Sequence, residues 1–115
     1  MSQPKIHIDV RSPTEAIRIL DMQGDITGSA EDALFAAYGA AESRARIILL
    51  NFSDVQSIDS LGAGLLIALQ ARIRAKRQRL LACGLNEACR RAFSLTHLDE
   101  AVGLYADEAE ALDSL

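Results

Sequence analysis

The chain has 115 residues, enough for one domain that buries roughly two-thirds of its unfolded surface and too few for several. Half are apolar, 24% charged and 4% aromatic with no Trp, which excludes a disordered or repetitive chain and leaves little material for stacking unpaired bases. A net charge of -4 and an isoelectric point near 5.1 oppose a phosphate-backbone ligand, so no nucleic-acid partner is expected.

Ile6, Ile8 and Val10 alternate with Lys5, His7 and Asp9, which predicts a first strand with one wet face. Ser12, Pro13 and Thr14 carry turn chemistry before a second strand at residues 16–22, and so short a connection predicts an antiparallel hairpin. Residues 24–28, Gly-Asp-Ile-Thr-Gly, read as a loop. Ser29 with Asp32 three residues on resembles a capping box, and Ala30, Ala33, Leu34, Ala37 and Ala41 then recur at helical spacing to about Glu42. Residues 46–52 include Ile47, Ile48, Leu49 and Leu50, apolar on both faces, as a central strand covered by helices on each side requires.

After a loop at residues 53–59, a second helix is predicted over residues 61–78, with Leu65, Leu69 and Ile73 on one stripe and Leu66 beside it. Gly62 and Gly64 each cost that helix about 1 kcal/mol relative to Ala, so they imply close backbone packing or a close-approaching partner. Residues 79–84 read as a strand ending in Gly84; Asn86 caps a third helix to about Leu95; residues 101–105 make a short last strand; and Asp107 with Glu110 starts a terminal helix. The order ββαβαβαβα predicts a single α/β domain over residues 1–115, with a mostly parallel sheet of about five strands, an N-terminal antiparallel hairpin and about four helices. In such sheets ligands meet the loops beyond the carboxyl ends of the strands, here residues 24–28 and 57–62.

The longest apolar run, residues 61–69, falls short of the roughly 20 needed to cross a bilayer, so no membrane insertion is expected. The opening Met-Ser-Gln-Pro-Lys lacks the apolar stretch of a signal peptide, which predicts a cytoplasmic address. Cys83 and Cys89 fit no zinc or redox spacing and are expected to be reduced, partly buried thiols.

The standard catalytic constellations are missing: the chain has no GxxxxGK[ST], GxSxG, HExxH or CxxC. Gly62-Ala63-Gly64 opens like a dinucleotide fingerprint, but Ile67 stands where Gly or Ala is needed. His7 and His97 have no visible nucleophile partner. Neither an enzyme nor a bound cofactor is therefore expected; a small nucleotide-using enzyme is the weakest of three functional readings. The basic run Arg72, Arg74, Lys76, Arg77 and Arg79 reads as a solvated face that complements a helix C-terminus, and from Asp99 onward the chain is acidic without a base. Ser60 stands at the turn into the second helix, where it reads as an N-cap; the same helix end can also hold a phosphate carried by that hydroxyl.

At Asp59-Ser60-Leu61-Gly62-Ala63-Gly64 the chain resembles the D-S-[ST]-G-L-G signature of bacterial anti-sigma factor antagonists, the single-domain STAS proteins also called anti-anti-sigma factors. Gly24-Asp25-Ile26-Thr27 resembles that family's G-E-L-D loop, and residues 92–98, Ala-Phe-Ser-Leu-Thr-His-Leu, resemble its segment before the last strand; the likeness covers about residues 5–112. It implies a protein that binds an anti-sigma factor of the serine-kinase type when unmodified and leaves it when Ser60 is phosphorylated, with a PP2C-type phosphatase to reset the switch. The implied partner-binding residues are Asp25, Thr27, Asp59, Ser60, Leu61, Gly62, Ala63 and Gly64, and the protein is expected as a monomer or weak homodimer. Leu61, Ala63 and Leu65 are expected to supply the apolar contact around the hydroxyl.

The chain departs from the family pattern at Leu61, where Ser or Thr is usual, at Ala63, where Leu is usual, and at Thr27, where kinase-responsive members carry Asp. The second reading implied by the resemblance is a phosphorylation-independent STAS scaffold or a subunit of a signalling or transport complex. Phosphorylation adds about -1.5 to -2 charges where a hydroxyl stood, while the helix end offers a few tenths to ~1 kcal/mol of compensation. Lost binding rather than unfolding is the expected consequence.

Overall fold

A computed structural model describes residues 6–41 and 44–115. Two strands, β1 (His7–Thr14) and β2 (Ile17–Gln23), precede helix α1 (Glu31–Ala41). Then follow β3 (Ile47–Asp54), α2 (Ser60–Ala75), β4 (Arg79–Cys83), α3 (Glu87–Leu95), β5 (Gly103–Tyr105) and α4 (Glu108–Asp113). The five strands lie in chain order across one sheet; β1 and β2 are antiparallel and every later neighbour is parallel. The predicted α/β order is thus met, with 3-10 turns added at Gly28–Ala30 and Leu98–Glu100. The expected end of the first helix at Glu42 lies outside the described residues.

Alternation along the strands divides the core. Leu20, Met22, Ile48, Leu50, Phe52, Leu80 and Ala82 face one side, where Leu34 and Tyr38 of α1, Leu66, Leu69 and Ile73 of α2, and Cys89 and Phe93 of α3 cover them. Phe93 meets Phe52 edge to face at 5.5 Å between centroids. The opposite side presents Ile19, Leu49, Leu81 and Cys83, packed against Ala111 of α4. The doubly apolar run in β3 is therefore explained as expected, but unequally: three helices cover one face and one short helix the other.

The hairpin is confirmed and its turn is corrected. Thr14 pairs with Ile17, so Glu15 and Ala16 form the turn, and the Thr14 hydroxyl accepts from the Ala16 amide at 3.2 Å. Ser12 and Pro13 instead sit in β1 where its register slips between Arg11 and Thr14. Proline lacks a donor N–H, and an edge strand with a bulge tolerates that loss.

On the face that carries α4, Arg11 links the edge strand to the interior and to the terminal helix. Its guanidinium pairs with Asp21 and, at 2.5 Å, with Glu108. Asp21 also accepts from the Asn51 amide at 2.8 Å. The hydrogen bonds from Arg11 and then from Asn51 hold the Asp21 carboxyl below its ordinary range against the opposing effect of burial. A carboxylate lowered on folding stabilises the native state above its unfolded pKa, and that stabilisation is lost as pH falls through the folded value. Thermal melts taken from neutral pH into strong acid are expected to show this loss below the ordinary carboxylate range, and Asp21→Asn is expected to flatten it. An unchanged acid limb in Asp21→Asn would assign the acid response to other groups.

Candidate functional site

Two loops meet beyond the carboxyl ends of β2 and β3. Residues 24–28 and 54–59 are stitched by backbone bonds: Gly24 N–H to Asp54 O at 3.1 Å, Ile26 N–H to Ser57 O at 3.0 Å and Asp59 N–H to Ile26 O at 3.1 Å. Ile26 is fully buried and forms a parallel bridge with Ile58, which anchors the first loop as a short extension of the sheet. The two segments singled out from the strand order are thus brought together. Asp25, between these anchors, is exposed.

The same stitching decides where α2 begins. Asp59 is held extended by its bond to Ile26, and its carboxylate accepts from the Gly62 amide at 2.7 Å. Asp59 is the N-cap and Ser60 the first helical residue, which corrects the expectation that Ser60 caps the helix. Both residue types cap well, and such a cap is worth about 1 kcal/mol. The tertiary bond selects between them, because a residue locked in extended geometry can cap but not begin a helix. Ser60 is released from capping; its side chain is exposed and, among the described residues, engages no partner.

A second cap is also corrected. Thr27, not Ser29, opens the turn before α1: its hydroxyl accepts from the Ser29 amide at 3.2 Å and lies 2.7 Å from the Ser29 hydroxyl. Thr27 therefore supplies a local cap where the family pattern has a carboxylate.

Of the two roles offered for Gly62 and Gly64, close backbone packing holds for Gly62 and not for Gly64. A β-carbon at Gly62 would stand 1.9 Å from the Ile26 carbonyl oxygen, so only glycine lets the helix lie on the first loop. A β-carbon at Gly64 would meet nothing within 4 Å, and Gly64 lies on the surface. Ala63, expected at the contact around Ser60, is buried, since it points toward the inner side of α2. Leu61 is 69% exposed and leans over Gly28, where a β-carbon would come within 3.1 Å of its Cδ1; Leu65 is half-buried.

One feature of this helix is not among the expectations from sequence. Its outward positions from Ser60 onward are Leu61, Gly64, Ile67, Ala68 and Ala71, with no charge before Arg72. A solvent-facing helix side normally carries charged residues; this one is uncharged over three turns, and Ile67 is 45% exposed. The signal was present as a missing charge at i, i+3, i+4 and i+7, but the inward stripe of the same helix masked it. Beside this face, Phe35, Glu31 and Asp32 of α1 and Ala68, Ala71 and Arg72 of α2 line a groove of about 580 Å³, with the Arg72 guanidinium 5.0 Å from the Phe35 ring centre.

The remaining chemistry is quiet. Cys83 and Cys89 are free and buried; burial pushes Cys83 up to about 11 and raises Cys89 as well, so neither is a ready thiolate. His7 is exposed beside Asp9 at 3.1 Å, and His97 is exposed beside Glu100 at 2.5 Å. Among the described residues no group of His, Cys, Asp and Glu has the geometry to hold a metal, and no helix is long and apolar enough to cross a membrane.

The model of the STAS domain family matches the chain over residues 7–111. The chain belongs to the STAS family. A Thermotoga neapolitana TM1081 homolog, named as a candidate anti-sigma factor antagonist, is 34% identical over 68 residues, which span 59% of this STAS chain and 60% of that relative. A crystal structure of an anti-sigma factor antagonist from Mycobacterium paratuberculosis is 26% identical, with a TM-score of 0.81 over 99% of this chain and 97% of that one. The Bacillus cell fate determinant SpoIIAA in its phosphorylated form shares the fold, at 21% identity and a TM-score of 0.73 over 94% and 98% of the two chains. This membership accords with the expectation of a regulatory binding module rather than an enzyme.

Proposed function

We propose that this STAS domain is an anti-sigma factor antagonist whose docking is switched at Ser60. The observation that carries the reading is the exposed, unengaged Ser60 hydroxyl at the head of an uncharged, solvent-facing side of α2. Unmodified, that side offers Leu61, Ile67 and the bare backbone at Gly64 to an anti-sigma factor of the serine-kinase type, with Asp25 and Thr27 on the adjoining loop. The kinase transfers the terminal phosphoryl group of ATP to the Ser60 oxygen; the hydroxyl proton is lost and ADP leaves. A PP2C-type phosphatase returns the hydroxyl.

The modified group bears about -1.5 to -2 charges beside the Asp59 carboxylate, which is already committed to the Gly62 amide. A near-complete shift between bound and free populations needs about 5.5 kcal/mol of differential affinity. Desolvating a dianion against an apolar contact supplies an effect of that order. The fold stays intact, because the Ser60 side chain is exposed and makes no hydrogen bond among the described residues. The relatives named as anti-sigma factor antagonists, and the one described in a phosphorylated form, support the reading.

Incubation with the cognate anti-sigma factor and ATP, followed by intact mass and peptide mapping, should give one phosphate per chain at Ser60 and none in Ser60→Ala. Label at another residue, or a partner that holds the modified and unmodified chains equally, would overturn the switch. The cap formed by Thr27 in place of a carboxylate favours one alternative, a STAS scaffold that binds without modification. Stable partner binding with no label under any kinase condition would select that alternative.

A further inference from the structure

The pole of the domain opposite Ser60 carries a cleft. Ala16 immediately precedes β2, Ala45 and Arg46 precede β3, and Gln78 precedes β4, so the amino ends of three adjacent parallel strands converge there. Together with Glu15, Arg44, Lys76 and Arg77 they line a cleft of about 790 Å³. Its floor is braced by Gln78, whose amide accepts from the Tyr38 hydroxyl at 2.7 Å and donates to the Ala45 carbonyl at 2.8 Å.

Two observations bear on what this cleft holds. The first is electrostatic. Among the described residues that line the cleft, four are cationic and one, Glu15, is acidic, in a protein whose net charge is -4. Among the described residues Arg44, Arg46 and Arg77 form no ion pair, whereas Arg11 at the other end of the hairpin is fully engaged by Asp21 and Glu108. The second is conformational. The α2 helix ends with the Gln78 amide bonded to the Ile73 carbonyl and the Arg77 amide to the Arg74 carbonyl, an arrangement that puts residue 77 in the left-handed region, at a φ of 59°. Glycine occupies such positions at no steric cost, yet this chain places an arginine there and aims it at the cleft rim.

We propose that the cleft binds a small soluble anion with clustered phosphate groups. Guanidinium forks match phosphate oxygens in pairs, and those of Arg44, Arg46 and Arg77 line a cleft large enough for such a ligand. An extended polyanion would run off the cleft onto a chain with excess acid, which disfavours nucleic acid. None of the exposed large hydrophobic side chains among the described residues lines the cleft, so nothing there would enter a lipid surface.

Calorimetric titration with inorganic tripolyphosphate at constant ionic strength tests the proposal on the whole chain. Saturable binding is expected, weakened about tenfold or more by Arg77→Gly and by Arg44→Ala and unchanged by Arg90→Ala on α3. Arg77→Gly should also raise Tm by about 4 °C, because it relieves the left-handed residue. Weaker binding by a more stable protein separates loss of a ligand group from loss of structure. No saturation, equal weakening by Arg90→Ala, or binding to anionic phospholipid vesicles without binding to tripolyphosphate would overturn it.

Discussion

Ser60→Asp is expected to weaken binding of the anti-sigma partner about 100-fold while leaving Tm within about 2 °C of the unmodified chain. The size follows from placing a charge at the head of an apolar contact, where its hydration must be removed before the surfaces can meet. The small effect on the fold follows from position. Ser60 is the first helical residue, its side chain is exposed, and an acid in the first turn is favoured by the helix dipole. Full phosphorylation carries roughly twice the charge and should approach complete release. Isothermal titration of the partner with wild type, Ser60→Ala and Ser60→Asp, alongside thermal melts, measures both quantities. A large drop in the melting temperature of Ser60→Asp would mean that the side chain supports the fold, and the switch would then be an unfolding event.

Gly62→Ala should be among the most damaging single-methyl additions in the molecule. The new carbon would lie 1.9 Å from the Ile26 carbonyl oxygen and 2.6 Å from its carbonyl carbon, both backbone atoms that no rotamer change can move. That carbonyl also accepts the Asp59 amide, so relieving the clash disturbs the bond that sets the start of α2. A destabilisation of about 3 kcal/mol or more, and a fall in Tm of about 10 °C or more, are expected. Gly64→Ala, two residues on, should do the reverse, gaining about 0.5–1 kcal/mol because its side chain enters open space and favours the helix. If the partner approaches the backbone at Gly64, that more stable variant will bind it less tightly. Denaturant or thermal unfolding of the two variants side by side decides the matter; equal effects would refute the division of roles between the glycines.

Much of the fold was legible because it rests on periodicity. The alternation of Ile6 and Ile8, the doubly apolar Ile47 to Leu50 and the recurrence of Leu66, Leu69 and Ile73 each report a burial geometry that local spacing encodes. Asn86 and Asp107 are legible as caps because each stands alone at its helix start. Expectation and structure part where two nearby residues are chemically equivalent. Asp59 and Ser60 can both cap, as can Thr27 and Ser29, and the short segment from Ser12 to Ala16 held several turn formers. A contact distant in sequence made the choice at Asp59, and a strand register made it in the hairpin turn.

From its residues alone the chain determined an α/β domain, its element order, its buried thiols and the helix headed by Asp59 and Ser60, since hydrophobic spacing and capping chemistry are local properties. Tertiary structure decided which of two adjacent residues closes that helix and which glycine the packing requires. It also drew arginines from separate segments to one pole. Those outcomes depend on backbone atoms and side chains brought together from separate strands, and no local pattern encodes distances of that kind.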